Sequence, residues 1–520
     1  MKAKSIMIQG TGSSVGKSLL CTALCRIFTQ DGYRVNPFKS QNMSNNSYIT
    51  AEGLEMGRAQ VMQAEAARKA PRAAMNPILL KPSSDQRSQV VIKGKVFDTL
   101  GVGDYYAYKG RLKAMIEEIY HNLATECDIM VIEGAGSPAE INLKHDDLVN
   151  MGMAKIAQAP VLLAGDIDRG GVFASLAGTM LLLDDDEKNM VKGVIINKFR
   201  GNLDILKPGL AMLEDIIHIP VLGVVPYFHL NLEDEDSVTD WQKFSTSLED
   251  NGPQQGVGAV NPRGEIEIAV LKLPHISNFT DFNALKLYPD VHLKFVDLRE
   301  DLGDPDVVVI PGTKSTISDM ELLKRTGMEE KILKCHQKGV IVFGICGGFQ
   351  MLGREIRDPD HVESFSDGIA GLGLIQAVTT FRGEKTTTLS EGEDRIFHTR
   401  VQGYEIHMGE TVLGEGVAPL LKILSQQGKT EKGRTALTDG AVNTERTVFG
   451  TYLHGIFDNA SFTRSFLNLV RKAKNLAPLA STVPDYWQYK DEQYDKLADV
   501  VRESLDMKQI YRIVETGLND

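Results

Sequence analysis

One cysteine, Cys346, lies on a turn rich in glycine. The stretch 340–353 reads VIVFGICGGFQMLG, with an apolar run before Gly344 and a helical pattern after Gly348. A nucleophile between such glycines is typical of a strained strand-to-helix corner that lifts a reactive side chain into a cleft. A helix N-terminus favours the thiolate, and nearby backbone N–H groups can form an oxyanion hole. We therefore predict that Cys346 attacks a carbonyl group; the alternative is a buried structural thiol.

A cysteine nucleophile needs a base, and two histidines compete for this role. His454 lies in TYLHGIFDN, just beyond an apolar strand, whereas Glu405 and His407 lie in GYEIHMGE. We predict that His454 is the base and keep Glu405 and His407 as the alternative. Gly312, in the strand-end turn VVVIPGTKST, is predicted to complete an oxyanion or substrate loop.

A second glycine-rich corner, GTGSSVGKS at residues 10–18, lies between a short apolar strand and a helical pattern. Backbone N–H groups of such a loop surround phosphate oxygens, and the following helix adds its positive end. The usual spacing would place the first glycine at position 11, which is Thr11 here, so the loop is a variant form. We predict a nucleotide phosphate site formed by Gly12, Gly16, Lys17 and Ser18.

Polar residues follow several of the other apolar strands. Glu133 ends the strand in IMVIEGAGSP and is predicted to bind Mg²⁺ with Ser18, although an acid at a helix start is the alternative. Asp166, in AGDIDRGG, is assigned to the substrate, with metal binding and loop structure left open. Asn197, in IINKFRG, is predicted to read the purine edge of a nucleotide, and an ordinary turn asparagine is the alternative.

The stretch NPFKSQNMSNNSYIT at residues 36–50 is rich in amides and hydroxyls. Such a donor-rich loop suits a substrate with many carboxylates. We predict that Lys39, Asn42 and Asn45 contact that substrate; solvated polar side chains are the alternative.

Composition narrows the class of protein. The chain has 520 residues, a net charge of −12, 42% hydrophobic and 24% charged residues, which indicates a multidomain globular protein. The acidic balance argues against nucleic acid or anionic membranes as partners. The N-terminal stretch shows no signal-peptide core, and the five cysteines are an odd number without a CxxC pair. We expect reduced thiols and a cytoplasmic protein. The sequence leaves a homo-oligomer open.

Alternating strand and helix patterns divide the chain. Residues 1–235 predict a doubly wound α/β domain with the phosphate loop, and 265–462 predict a second α/β domain with Cys346. The polar, acidic stretch 236–264 reads as a linker, and 463–520 read as a helical segment.

These motifs together resemble known families. PGTKST, FGICGGFQMLG, GYEIHMGE and YLHGIFDN resemble the class I glutamine amidotransferases of the cobyrinic and cobyric type, which have a flavodoxin-like fold. GTGSSVGKS and VIEGAGSP resemble the dethiobiotin-synthetase type of P-loop ATPase. Joined with PFKSQNMSNNSYIT and DIDRGGVFASLAGT, they resemble the cobyric acid synthase family over essentially the whole chain.

The resemblance implies an ATP- and glutamine-dependent ligase. Its substrate would be adenosylcobyrinic acid a,c-diamide, amidated at the b, d, e and g carboxylates. The alternatives are a cobyrinic acid a,c-diamide synthase and, in another class, a P-loop switch ATPase, whose loops carry an extra lysine that QGTGSSVG lacks. Most class I amidotransferases carry glutamate two residues after the histidine, where this chain has Ile456. The third member of the triad is thus expected to be absent or supplied from elsewhere.

Overall fold

The computed structural model describes residues 3–84, 87–228, 265–427, 437–481 and 483–519. The predicted linker 236–264 lies outside these ranges. The chain forms two compact units. The first comprises Met1–Ser44, Glu55–Thr239 and Lys490–Asp520, and the second comprises Asn45–Leu54 and Asp240–Tyr489.

The elements before residue 229 are mostly short. The strands are β1 (Lys4–Gly10), β2 (Val35–Phe38), β3 (Gln41–Met43), β4 (Ser47–Ile49), β5 (Glu55–Gly57), β6 (Ile78–Ser84), β7 (Arg87–Ile92), β8 (Lys95–Gly101), β9 (Ile129–Glu133), β10 (Val161–Asp166), β11 (Val191–Phe199) and β12 (Val221–Pro226). The α-helices are α1 (Lys17–Gln30), α2 (Arg58–Ala66), α3 (Val102–Ala124), α4 (Met151–Ala157), α5 (Val172–Leu182), α6 (Asp185–Lys188) and α7 (Leu203–Ile217), with 3₁₀ turns at Ala73–Met75 and Ile141–Asp146.

Six parallel strands form the central sheet of the first unit, in the order β12-β11-β10-β1-β9-β2. Their apolar side chains are buried, as expected of a parallel sheet covered on both faces. The register pairs Ile8 with Glu133 and Asp166 with Asn197, so the carboxyl ends of neighbouring strands meet at one edge. This arrangement confirms the predicted doubly wound fold and gathers the polar strand ends where such sheets bind ligands.

Two features of the first unit were not predicted. A four-stranded sheet, in the order β3-β6-β7-β8, follows the amide-rich loop. The segment Lys490–Asp520 also belongs to this unit, and its apolar side chains share a core with those of α1 and β1. The buried side chains that it contributes include Tyr494, Leu497, Val501, Ile510 and Val514.

The elements after residue 264 include longer strands. The strands are β13 (Ile266–Lys272), β14 (Val291–Asp297), β15 (Val307–Ile310), β16 (Ile341–Ile345), β17 (Glu355–Arg357), β18 (Gly368–Ala370), β19 (Ala377–Asp394), β20 (Arg400–Leu413), β21 (Val417–Ala418), β22 (Leu421–Gln427), β23 (Thr438–Asp439), β24 (Ala441–Asn443), β25 (Val448–Thr451) and β26 (Leu453–His454). The helices are α8 (Thr316–Thr326), α9 (Met328–Gln337), α10 (Gly347–Leu352), α11 (Ala460–Ala473), α12 (Tyr486–Ser504) and α13 (Met507–Thr516), with 3₁₀ turns at Phe279–Phe282, Ala284–Leu287 and Ile456–Asp458.

The main sheet of the second unit has the strand order β14-β13-β15-β16-β25-β24-β21. The first five strands are parallel, and their order is that of flavodoxin-like folds, as predicted. Its apolar strands form one continuous core with α8 to α11. Cys346 follows β16 directly, so it lies at the carboxyl end of a central strand.

A long antiparallel hairpin, β19 and β20, was not predicted. It carries GYEIHMGE on β20, and β20 pairs with β26 so that Tyr404 lies opposite His454. The pairing of β20 with β26 therefore holds the backbone of His454 in place at the side of the main sheet. Within the ranges that the structure describes, no helix is both long enough and apolar enough to span a bilayer.

Candidate active site

Cys346 occupies a strained elbow between β16 and α10. Its backbone has φ 52° and ψ −110°, a conformation that few non-glycine residues adopt. A Cβ at Gly344 would lie 2.6 Å from the Gly348 carbonyl oxygen, and one at Gly348 would lie 2.0 Å from that of Ile310. The neighbouring glycines are therefore required by close backbone approach. Cys346 lies at the strand-to-helix turn, and its role as a nucleophile stays a prediction.

His454 lies beside Cys346 and is fully buried. Its Nδ1 is 2.7 Å from Asp281 Oδ2, and Gly455 N donates to Asp281 Oδ1 at 3.0 Å. Burial disfavours the imidazolium, but the Asp281 carboxylate outweighs it and, with the nearby Cys346 thiol, raises the pKa of His454 to about 10. Nδ1–H therefore donates to Asp281, and Nε2 is the nitrogen left for proton exchange with Cys346.

Asp281 is the site residue that sequence reasoning missed. It comes from the 3₁₀ turn Phe279–Phe282, 173 residues before His454, and takes the place that a glutamate at position 456 would fill. Ile456 is instead part of the buried core. A short polar run, SNFTDFN, is the only sequence signal, and nothing in its spacing connects it to His454.

The competing pair lies on β20. Glu405 accepts from Ser390 Oγ at 2.6 Å and from Gln426 Nε2 at 3.0 Å. His407 Nδ1 is 2.9 Å from the Gly409 carbonyl oxygen, and its ring stacks on Tyr452. His407 Nε2 also lies 3.6 Å from Glu405 Oε2, so both histidines have a carboxylate neighbour. His454 has the shorter carboxylate contact and is the one that lies beside Cys346.

Gly312 lies next to His454. A Cβ at this position would be 3.1 Å from His454 Cε1, and its carbonyl oxygen accepts from Ser277 N at 2.9 Å. The structure thus brings Gly312 together with Cys346 and His454, within the second unit.

The phosphate loop brings its predicted residues together in the first unit. Lys17 Nζ donates to the carbonyl oxygens of Gly12, at 2.9 Å, and Gly136, at 3.2 Å. Gly16 has φ +94°, and a Cβ there would lie 2.3 Å from Asn197 Nδ2. Asn197 in turn donates to Val15 O at 2.8 Å. Asn197 therefore contacts the loop directly, and its reading of a purine edge stays a prediction.

Glu133 is buried among four polar side chains. Ser18 Oγ donates to Glu133 Oε1 at 2.8 Å and Lys39 Nζ donates to the same oxygen at 2.7 Å, while Gln60 and Gln63 donate to Oε2. Burial opposes ionisation, but the Lys39 ammonium and these hydrogen bonds hold the pKa of Glu133 below its usual value. The carboxylate is therefore ionised at neutral pH.

The pair of Ser18 and Glu133 fits a magnesium ion that nucleotide phosphates also hold. Both offer hard oxygen atoms beside Lys17, which is the kind of partial ligand set that Mg²⁺ takes in nucleotide sites. Among the described residues, no group of three or more His, Cys, Asp or Glu side chains is placed to hold a metal ion by itself.

A cavity of about 320 Å³ adjoins the phosphate loop. Its wall includes Lys17, Lys39 and Asn42, so the structure brings the predicted substrate residues Lys39 and Asn42 to the nucleotide site. Asn45 is not among the residues that line this cavity, and its contact with substrate stays a prediction.

Asp166 has protein partners at the same sheet edge. Its Oδ2 is 2.9 Å from Lys198 Nζ, and its Oδ1 accepts from Asp168 N at 2.9 Å. Lys198 Nζ also donates to the Ser14 carbonyl oxygen of the phosphate loop. These contacts favour the loop-structure alternative for Asp166, and its contact with substrate stays a prediction.

Two family models agree with the division of the chain into two units. Residues 6–236 match the CobQ/CobB/MinD/ParA nucleotide binding domain, and residues 267–462 match the CobB/CobQ-like glutamine amidotransferase domain. Among solved structures, a glutamine amidotransferase matches with a TM-score of 0.30 and 19% identity, over 39% of this chain and 98% of its own. Fold and site together define an enzyme that joins a nucleotide-binding domain to a glutamine amidotransferase domain.

Similarity over the full length is more specific. The cobyric acid synthase of Clostridium novyi (strain NT) is 57% identical over 100% of this chain and 99% of its own. That of Caldanaerobacter subterraneus subsp. tengcongensis is 52% identical over 99% of each chain. The chain belongs to the cobyric acid synthase family.

Proposed function

We propose that this enzyme uses ATP and glutamine to amidate the b, d, e and g carboxylates of adenosylcobyrinic acid a,c-diamide, giving adenosylcobyric acid in cobalamin biosynthesis. The observation that carries the glutamine half is the buried series Cys346, His454 and Asp281. The glycine-rich phosphate loop with Lys17 and the polar cavity beside it support the ligase half.

In the glutamine reaction, Cys346 gives its proton to His454 Nε2 and its sulfur attacks the amide carbon. Asp281 holds Nδ1–H, so the imidazole is oriented and its positive charge is stabilised. The proton on Nε2 then passes to the departing nitrogen, ammonia leaves, and a thioester forms. A water molecule gives a proton to His454 and attacks the thioester, which releases glutamate and restores the thiol.

In the ligase reaction, a substrate carboxylate oxygen attacks the γ-phosphorus of ATP, ADP departs, and an acyl phosphate forms. Lys17 contacts the transferred phosphoryl group, and Lys39 pairs with the acidic substrate on leaving Glu133. Ser18 and Glu133 would hold Mg²⁺, which when bound neutralises phosphate charge. Ammonia attacks the acyl carbon, phosphate leaves, and an amide results.

The reduced cysteines support the proposed cytoplasmic location, because all five are free in the structure. The rival function within the same chemistry is a cobyrinic acid a,c-diamide synthase. The rival from another class is a switch ATPase, whose activity has no step that would use a nucleophilic thiol at Cys346.

The deciding experiment supplies the purified chain with ATP, Mg²⁺ and glutamine. One reaction receives adenosylcobyrinic acid a,c-diamide and the other receives cobyrinic acid, and mass spectrometry counts the amides formed. We expect successive amidation of the diamide at its remaining side-chain carboxylates, up to the b, d, e and g groups. Amidation of cobyrinic acid that stops at the a and c groups would replace the proposal with its rival.

A further inference from the structure

The segment Asn45–Leu54 belongs to the second unit although its sequence neighbours do not. The chain enters it from Ser44 and leaves it at Glu55, which are both part of the first unit. A few residues upstream, Lys39 and Asn42 line the cavity beside the phosphate loop. A continuous piece of backbone therefore connects residues of the proposed ligase site with residues of the glutamine site.

Two reciprocal hydrogen bonds attach this segment to Asn278. Asn278 N donates to Asn46 Oδ1 at 2.9 Å, and Ser47 N donates to Asn278 Oδ1 at 2.9 Å. All three residues are buried. Because a backbone N–H can only donate, the second bond fixes which end of the Asn278 amide is the oxygen.

The fixed amide points its NH₂ group at the catalytic base. Asn278 Nδ2 lies 3.4 Å from His454 Nε2, the nitrogen that must accept the proton of Cys346. An N–H group can donate to Nε2 only while that nitrogen keeps its lone pair. Against a protonated Nε2, two donors would face each other. The amide therefore destabilises protonated His454 and opposes the effect of Asp281.

A second set of contacts reaches the same site. The Tyr48 and Tyr404 ring centroids are 5.1 Å apart, and the Tyr404 ring stacks on His454 at 5.1 Å. Ile49 packs in a small cluster with Tyr404 and Ile406. The Ile406 carbonyl oxygen is 3.5 Å from Cys346 Sγ. The segment thus supports the surroundings of both catalytic residues.

We propose that Asn45–Leu54 is an internal brake on glutamine hydrolysis, in which Asn46 and Ser47 hold the Asn278 amide against His454 Nε2. Binding of the polycarboxylate substrate at Lys39 and Asn42 shifts the connected backbone, withdraws the amide and allows His454 to take the proton. Asn278 is thus a positioning residue. The proposal rests on the proposed function, because it assumes that ammonia is made for a carboxylate acceptor.

The test measures glutamate release by the full chain without ATP or corrinoid. Asn278→Gly removes the amide itself, and glycine tolerates the φ of +53° at this position. Asn46→Ala removes one of the two hydrogen bonds that hold Asn278 in place. We expect acceptor-independent glutamate release to rise about tenfold, the effect of one hydrogen bond on an equilibrium. Glu52→Ala, at an exposed position of the same segment, is the control and should leave the rate unchanged.

A second readout separates the brake from a merely structural role. The rate of Cys346 alkylation by iodoacetamide is measured between about pH 6 and about pH 9. Asp281, Cys346 and Tyr404 are the titratable groups that face His454, and all three are unchanged in these variants. In Asn278→Gly the alkylation rate at low pH should rise, because protonated His454 is no longer opposed by the amide. In Asn278→Asp the rate at low pH should rise further, because a carboxylate accepts from Nε2–H.

Lower glutamate release in Asn46→Ala and Asn278→Gly, with an alkylation profile like that of the unsubstituted chain, would overturn the brake. Failure of the proposed function looks different. In that case the unsubstituted chain gives no corrinoid amide at all, while the effect of the variants on acceptor-independent glutamate release still reports on the brake.

Discussion

His454 contacts a different polar group through each ring nitrogen. Asp281 accepts from Nδ1, and Asn278 Nδ2 lies beside Nε2. The carboxylate stabilises the imidazolium, which gives Cys346 a base within a fully buried site. Asp281, 173 residues before His454, therefore supplies the carboxylate that most class I amidotransferases supply from a glutamate two residues after the histidine.

Asp281→Asn should lower glutamine-dependent amidation about a hundredfold or more, because the imidazole loses its oriented charge partner. Ammonia-dependent amidation should stay unchanged, since the phosphate loop is untouched. Both rates are measured on one preparation. Asp458→Asn, which alters the carboxyl nearest to His454 in sequence, is the matched control, and a comparable loss there would contradict the role of Asp281.

The same variant has a pH signature. His454 has a raised pKa of about 10, so its protonated form persists up to that pH and is lost as the pH rises through it. Protonated Nε2 delivers the proton to departing ammonia, so the glutamine-dependent rate should fall on the alkaline side near about pH 10. Without the carboxylate the pKa of His454 drops, and in Asp281→Asn this fall should begin at lower pH. An alkaline limb that does not move would count against the pair.

Cys346→Ser should abolish glutamine-dependent amidation by orders of magnitude while folding survives, because serine is a poor nucleophile toward an amide. Ammonia at high concentration and raised pH should still give product. Equal loss with both nitrogen sources would mean that Cys346 belongs to the ligase step or is structural.

At the scale of residues, the sequence predicted those parts of the site that lie within one short motif. The glycines around Cys346 and the loop before Lys17 announce their geometry because backbone strain and close approach permit few other residues. Asp281 and Asn278 could not be found in this way. Each reaches His454 through a contact between distant parts of the chain, and only the folded second unit creates that proximity.

At the scale of elements, the alternating apolar runs gave both parallel sheets and their ligand-binding edges. The hairpin β19–β20 was missed because the alternation of buried positions in β19 is interrupted between Phe381 and Thr388, and its second half buries polar residues such as Thr388 and Ser390. Its partner strand β20 carries the functional-looking motif GYEIHMGE. The amide-rich loop was read as one substrate loop. Its chain divides after Ser44, since Asn46 and Ser47 find their partners around Asn278.

The phosphate loop between β1 and α1 should serve only the ligase reaction. Lys17→Ala removes the ammonium group that we propose contacts the phosphates, so amidation should disappear with glutamine and with ammonia alike. Glutamate release, measured in the same samples, should remain. Lys207→Ala, at a solvent-exposed position of α7, is the control. Substantial ammonia-dependent product from Lys17→Ala would remove the ATPase assignment from this loop.

At the scale of the whole molecule, the first unit is assembled from separated parts of the chain. Arg26 of α1 pairs with Asp491 and Asp495, and Arg502 pairs with Asp31. Beneath these ion pairs, Leu497 and Val501 are buried in the shared core. The final helices are thus part of the nucleotide-binding unit. The helical pattern at 463–520 did not indicate which part of the chain these helices pack against.

Val501→Asp should unfold the first unit selectively. Burying an unpaired carboxylate costs about 3 kcal/mol or more, enough to remove much of the stability of a domain. ATP-dependent amidation should be lost with either nitrogen source, while glutamate release continues. Glu503→Ala, at an exposed position two residues on, should behave like the unsubstituted chain. Parallel loss of both activities would show that the two units do not unfold independently.

The late position of Lys490–Asp520 has a consequence for synthesis on the ribosome. The nucleotide-binding unit begins to emerge first, yet its core is closed only by side chains translated after every residue of the other unit. The glutamine-hydrolysing unit can therefore finish folding while the ligase is still open. A nascent chain arrested within Lys490–Asp520 would carry a folded glutamine-hydrolysing unit, which makes ammonia, beside an unfinished ligase, which uses it. The brake on His454 is formed by residues of the glutamine-hydrolysing unit alone, so it is in place before the ligase is complete.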